Sequence, residues 1–256
     1  PEYADILLVE STYGAKLHPK GNLKERLKKI VLDTVLKEGT LIIPSFAVER
    51  AQTLMYFLWQ LQKEGAIPKL PMYLDSPMGA NVLDLFSKYL DWHKLDEAAC
   101  KEMCDAFHIV DKFSETQKII ENKQVKIVIA GSGMITGGRV LSYLQKYLED
   151  PSTSILLAGF QAEGTRGRSL LEGCEELKIY GHYYKVRAEV FNEDSLSAHA
   201  DQSEILDWLS EIQSSPQKTY IVHGEPHASD VLRVKLQDEL GWKVEIPELY
   251  SIHELG

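Results

Sequence analysis

The chain reads as an α/β protein, a mostly parallel sheet flanked by helices, with a change of organisation near residue 176. Three observations predict this. Short apolar runs alternate with amphipathic helical stretches along the 256 residues. Most runs are unbroken rather than alternating, as expected of strands covered on both faces by crossover helices. Near residue 176 the pattern changes: "KVRAEVF" alternates apolar with polar, a half-exposed strand.

Each element has its own justification. "DILLVE" is a strand, and "KGNLKERLKKIVLDTVLKEG" has helical spacing at Leu23, Leu27, Ile30, Val31 and Val35, with Gly39 as the stop. "TLIIPS" is a buried-type strand, followed by the amphipathic helix "VERAQTLMYFLWQLQKEG" ending at Gly65. "PMYLDSP" reads as a strand and "MGANVLDLFSKYLD" as a helix, while 91–124 is mixed. "VKIVIAGSG" is a strand entering a glycine-rich turn, "GGRVLSYLQKYLED" a helix, and "STSILLAGF" another buried strand before "QAEGTRGRSLLEG". Beyond 176 come a helix at "SAHAD", the strand "TYIVHG", a helix from Ser229 to Leu240 stopped by Gly241, and "WKVEIP". No internal repeat or low-complexity linker is present.

A 44% hydrophobic, 26% charged composition suits a globular chain with a real core. Net charge is −10, so nucleic acid would have to be held by a local site rather than by bulk charge. No apolar run approaches the roughly 18 residues of a membrane span, and no basic-then-apolar leader opens the chain. The expectation is a cytoplasmic protein without a membrane partner. The opening "PEYADILLVES" already lies inside a strand-like pattern, which predicts a piece of a longer protein. Three cysteines without a C-x-x-C fit inert thiols in a reducing cytosol.

Three loops follow strand carboxyl ends, where open α/β sheets bind ligands: 44–50, 130–138 and 159–168. Gly131, Gly133, Gly137 and Gly138 would let backbone amides approach a phosphate, with Arg50, Arg139, Arg166 and Arg168 nearby. Tight strand-to-helix turns explain the same glycines, and the spacing matches neither a Walker A loop nor G-x-G-x-x-G.

Two histidines stand out: His199 in "SLSAHAD" and His223 in "YIVHGEPH". Singly, each also reads as an ordinary turn or strand-end residue. Asp201 to Glu204 outlines a capping box, which explains Asp201 without chemistry. His227 is separated from His223 by Pro226, which argues against a helical ligand pair. His18, His93, His108, His182 and His253 have no suggestive partners and read as surface or structural residues.

Taken together, "LLVESTYG", "SAHAD" and "VHGE" resemble, in order and spacing, the three signature motifs of the β-CASP branch of the metallo-β-lactamase superfamily. "SFAVERAQ", "SGMITGGR" and "AGFQAEGTRGR" resemble motifs of its inserted cassette, and the overall likeness is to the polyadenylation-nuclease-like, RNA-processing members. The resemblance implies a β-CASP cassette plus the C-terminal part of a metallo-β-lactamase αββα domain. Residues 1–19 would end the N-terminal half of that domain, 20–176 form the cassette, and 177–256 return to it. It implies Glu10 as the acid holding the motif histidine, His199 as that histidine facing the scissile phosphate, and His223 as the last ligand of a two-zinc centre. Such chemistry suits the residue types, since neutral imidazole binds zinc and a carboxylate-held imidazole can pass a proton to a departing oxygen.

The family's H-x-H-x-D-H motif is absent, and no H-x-H occurs anywhere in the chain. The expected parent is therefore a zinc-dependent ribonuclease with two ions, while this chain alone holds no zinc pair and is inactive. RNA is the expected partner, with Ser132, Gly133 and Met134 lining a cleft opposite Ser197. The missing half-domain would uncover an apolar sheet face, which predicts self-association. Other readings are a catalytically inactive β-CASP module binding RNA or protein, and an unrelated α/β enzyme holding a nucleotide at its glycine loops. An inserted cassette has its ends close together, so Glu10 and His199 should be neighbours.

Overall fold

A computed structural model describes residues 2–254. In chain order its helices and strands are β1 (Ile6–Glu10), α1 (Leu23–Leu36), β2 (Thr40–Pro44), α2 (Arg50–Lys63), β3 (Met72–Asp75), α3 (Pro77–Lys88), α4 (Glu97–Asp105), β4 (His108–Ile109), α5 (Phe113–Glu121) and β5 (Lys126–Ala130). There follow α6 (Val140–Tyr147), β6 (Ser154–Leu157), α7 (Arg166–Leu171), β7 (Glu176–Ile179), β8 (His182–Lys185), β9 (Glu189–Asn192), α8 (Gln202–Ser210), β10 (Lys218–Val222), α9 (Pro226–Leu240) and β11 (Val244–Glu245). They fall into two compact units. The larger runs from Gly21 to Leu196; the smaller joins the residues up to Lys20 with those from Ser197 onward.

In the larger unit six parallel strands lie in the order β4-β3-β5-β2-β6-β9. Successive side chains of a strand point to opposite faces, and the central strands are apolar on both. Leu41 and Ile43 pack with Leu27, Val31, Leu54 and Leu58 of α1 and α2. Ile42 packs on the other side with Val140, Leu141 and Leu144 of α6. Strands buried on both faces leave no polar side to alternate with, which is why they read as unbroken apolar runs. Asn22 starts α1 by accepting the Lys24 and Glu25 amides, and Ser76 starts α3 by accepting that of Gly79.

The change of organisation expected at 176 occurs at 196 instead. β9 pairs in parallel with β6, Ile155 opposite Val190, and completes the larger sheet. The β7–β8 hairpin places Leu177 and Ile179 in the same core as α6. "KVRAEVF" is thus two strand pieces, Lys185 ending β8 and Glu189 opening β9. Its half-exposed pattern reflects an edge strand rather than a new domain. The mixed 91–124 stretch holds α4, α5 and a two-residue strand too short to carry a pattern. "SAHAD" lies before α8 rather than within it, because Asp201 is the helix cap.

In the smaller unit β10 is central, pairing in parallel with β1 and β11. Leu7 and Val9 pack with Ile205, Leu209, Leu232 and Leu236 of α8 and α9, while Leu8 on the opposite face is 65% exposed. Among the described residues β1 has no second neighbour.

A bidentate ion pair helps tie the two ends of the larger unit together. Arg26 of α1 grips Glu193 with Nε at 2.6 Å and Nη2 at 3.0 Å, and Nη2 also reaches Ser195 Oγ at 3.0 Å. Burial pushes the Glu193 carboxyl up, but hydrogen bonds from Arg26 and Ser195 outweigh it and hold the group below its ordinary range. Arg26→Met should leave that carboxylate buried without its cation, at a cost of about 3 kcal/mol, read from the urea midpoint. Because the folded-state pKa is depressed, the Glu193 contribution is complete above the ordinary glutamate pKa of about 4.3. It is lost as pH falls through the lower folded value, so the wild-type advantage over Arg26→Met should shrink in acid.

Candidate functional site

The parallel register of β1 and β10 sets Glu10 opposite Val222. Residues more than 200 positions apart in the chain therefore leave the sheet side by side, and each residue of "ESTYG" has a separate task there. Ser11 Oγ donates to the Val222 carbonyl at 3.0 Å and lies 2.9 Å from Ser229 Oγ, fastening the strand end to α9. Thr12 donates its backbone N–H to Glu10 Oε2 at 2.8 Å, which turns the carboxylate inward. Tyr13 is buried and bridges to Asp201. Gly14 passes so close to α9 that a Cβ would stand 2.5 Å from the Ala228 carbonyl.

His199 and His223 meet over Thr12. Glu10 Oε1 lies 3.3 Å from His199 Nδ1. Thr12 Oγ1 lies 3.3 Å from that same nitrogen and 3.1 Å from His223 Nδ1. The two rings are nearly parallel, 5.3 Å apart. The threonine hydroxyl carries one proton, and it is placed to donate to the His223 carbonyl at 3.1 Å. Its lone pairs then face both rings, which puts N–H on each Nδ1 and leaves each Nε2 free as a donor atom toward a ligand. His223 itself sits at φ +55°, a left-handed conformation uncommon for a non-glycine residue.

The residues framing His199 hold its backbone. Ser197 Oγ accepts the His199 N–H at 3.2 Å, so this predicted substrate contact also shapes the turn. His18 Nε2 donates to the His199 carbonyl at 2.9 Å, and the His18 backbone N–H donates to Asp201 Oδ2 at 2.8 Å. Asp201 Oδ1 accepts the Glu204 N–H, and Glu204 returns the bond to the Asp201 N–H, each at 2.9 Å. Burial pushes the Asp201 carboxyl up, but the Glu204 and His18 amides and the Ser203 hydroxyl hold it below its usual range. The sequence marks His18 only as a surface or structural residue and Thr12 only as a member of the "LLVESTYG" motif. Neither has a spacing signal, because the contacts that define them span more than 180 positions.

Glu10, His199 and His223 are a group whose ligand atoms all lie within 4.8 Å of one another. Catalytic zinc takes three protein ligands and an open position. Here the Glu10 carboxylate is committed to Thr12 and His199, whereas His223 has Nδ1 on Thr12 and its Nε2 uncommitted. A ligating histidine anchored through its other nitrogen is the usual arrangement at zinc. The residues present fit one corner of a zinc centre, not a complete one.

Ser132, Gly133 and Met134 belong to the larger unit. Ser132 Oγ accepts the Thr136 and Gly137 amides at 3.1 and 3.2 Å, so the loop fills its own nest with its own hydroxyl. Met134 offers its carbonyl to the Gly167 amide at 3.1 Å. The four loop arginines act as braces. Arg50 donates to the Ala158 carbonyl, Arg139 pairs with Asp75, Arg166 donates to the Lys178 and Ile135 carbonyls, and Arg168 pairs with Glu172.

Comparison with known proteins adds two family matches. Residues 51–170 match the Beta-Casp domain, and 183–247 match the Zn-dependent metallo-hydrolase RNA specificity domain. The chain is 31% identical over 258 aligned residues to the transcription termination factor FttA of Pyrococcus horikoshii, covering 95% of this chain and 39% of that protein. It is 33% identical to a ribonuclease of Thermus thermophilus, covering 88% of this chain and 52% of the relative. An RNase J-like protein of Methanocaldococcus jannaschii is 32% identical over 88% of this chain and 53% of its own length. The chain thus spans about two fifths to one half of these curated relatives.

Thr12→Val should remove the atom that both rings share. The expected outcome is a change in the Nδ1/Nε2 tautomer signals of His199 and His223 in 15N spectra, with a loss of only about 0.5–1.5 kcal/mol, because both imidazoles are open to solvent. Thr12→Ser should preserve both.

Proposed function

The chain belongs to the β-CASP branch of the metallo-β-lactamase superfamily, and from that membership and the Glu10–His199 contact we propose that it is part of a zinc-dependent ribonuclease. The observation that carries the reading is the meeting of a carboxylate, two imidazoles and a hydroxyl at the joined ends of β1 and β10. His223, through Nε2, would hold zinc. Bound zinc supplies an activated water and stabilises charge developing on a phosphoryl group.

The remaining chemistry falls to this chain's own side chains. His199 in its protonated form donates from Nε2 to the departing oxygen, while Glu10 and Thr12 hold the ring through Nδ1. These contacts fix which ring nitrogen is turned toward substrate. Ser197 and His18 fix the backbone on either side of the His199 Cα, which keeps the ring from swinging off line. Ser132, Gly133 and Met134 are assigned to RNA contact, through backbone groups more than through the Ser132 hydroxyl. RNA is the partner, in a cytoplasmic setting.

The other zinc ligands must come from outside these 256 residues, since no H-x-H occurs among them. The chain by itself therefore binds no zinc pair and cleaves no RNA. The same absence favours one second reading, a non-catalytic β-CASP module that binds RNA or protein. The exposed Leu8 and the open edge of β1 support self-association of the isolated chain.

Elemental analysis and labelled-RNA cleavage separate these readings. A form extended upstream to include an H-x-H-x-D-H segment should bind zinc and cut RNA. In it His199→Ala should abolish cleavage and retain metal, whereas His223→Ala should lose both. Two zinc ions per 256-residue chain, with cleavage removed by His223→Ala, would overturn the assignment of the missing ligands. Gly133→Leu should weaken RNA binding at unchanged zinc content, because even a Cβ at this position lies 2.7 Å from the Phe46 ring.

A further inference from the structure

A cavity of about 770 Å³ opens in the larger unit at the carboxyl ends of β2, β3 and β5, within the range of small-ligand sites. Three aromatic side chains from unconnected elements reach it: Phe46 after β2, Phe113 at the start of α5, and Tyr180 at the tip of the β7–β8 hairpin. None is core. They are 43%, 51% and 60% exposed respectively.

Tyr180 is the telling one. The hairpin turns through Tyr180 and Gly181 alone, both at positive φ, +47° and +87°. Two-residue turns of this kind favour asparagine or aspartate followed by glycine, because a bulky side chain is strained there. A tyrosine held at such a position, largely exposed, is placed against local preference. Its ring borders the cavity.

The floor carries charge that is already balanced. Asp75 is fully buried and is met by Arg139 Nη1 at 2.6 Å and by the Tyr143 hydroxyl at 2.7 Å. Arg139 is further spent on Thr116 Oγ1 and the Asp111 carbonyl. No cation is left over to select an anion, so the cavity is matched to a neutral ligand. Polar capacity at the wall is of the amide and hydroxyl kind. Gln145 uses one N–H on the Tyr184 hydroxyl and has a second donor and an acceptor to spare.

We propose that this cavity receives one unstacked nucleobase of a single-stranded RNA, seated against Phe46, Phe113 and Tyr180 with its polar edge toward Gln145. A base is planar, neutral and edged with donors and acceptors, which is what this lining complements. The proposal rests on the RNA reading above and extends it to a named subsite.

Two binding measurements on the 256-residue chain test it. Adenosine, uridine and, as a control, indole are titrated while aromatic NMR signals are followed. The affinity of an RNA octamer is then compared with that of the same octamer made abasic. Nucleosides should shift the Phe46, Phe113 and Tyr180 rings and indole should not compete with them. Abasic RNA should bind roughly tenfold more weakly, the loss of about one stack. Phe113→Leu and Tyr180→Asn should each weaken intact RNA by a similar factor. Since asparagine suits the turn, Tyr180→Asn should do so without lowering thermal stability. RNA bound equally well by wild type, variants and abasic oligomer would overturn the subsite and leave the RNA reading standing. Nucleoside shifts without any octamer binding would overturn the RNA reading while supporting a base site. Equal binding of indole would mark a generic aromatic pocket and overturn the proposal.

Discussion

The parallel pairing of β1 with β10 is the constraint on which the proposed site depends. Parallel strands need a long crossover between them, and here the intervening chain includes a whole unit of its own, Gly21–Leu196. The register then decides everything local. With Glu10 opposite Val222, the next residue of each strand is Thr12's neighbour on one side and His223 on the other. A slip of one residue would turn Glu10 to the opposite face of the sheet and separate it from His199. Ser11 and Thr12 guard against that slip, since their hydroxyls are bonded to the Val222 and His223 carbonyls.

Stability and site geometry share the same groups around His199. Asp201 caps α8, accepts the His18 amide, and so sets the loop whose carbonyl His18 holds. A capping carboxylate is worth about 1 kcal/mol to a helix, yet here it also determines where an imidazole points. Its depressed pKa means that acid removes both effects together. Protonation through the lowered Asp201 value frees the α8 amide and loosens the His18 clamp in one step.

The larger unit handles charge differently from what its sequence suggests. Four arginines near glycine loops resemble a phosphate cradle, but all four brace the loops against carbonyls and carboxylates. For a chain of net charge −10, this leaves little long-range attraction for a polyanion. Contact through stacking and backbone groups is the chemistry that remains, and it is less dependent on salt than phosphate pairing.

The sequence by itself determined the α/β class and most elements, because strands buried on both faces and helices of regular apolar spacing carry their burial in their composition. It also singled out Glu10, His199 and His223, through motifs whose order along the chain is distinctive. What it could not hold was anything decided by contacts across the fold. The shift of the unit boundary from 176 to 196 arises because β9 finds its partner in β6, and a four-residue edge strand has no pattern that names its neighbour. Thr12 and His18 are ordinary residues until β1 and β10 meet, and the loop arginines look available until their acceptors are seen. Periodicity records which side of an element is buried; only the tertiary structure decided which distant atoms that burial brings within a hydrogen bond of each other.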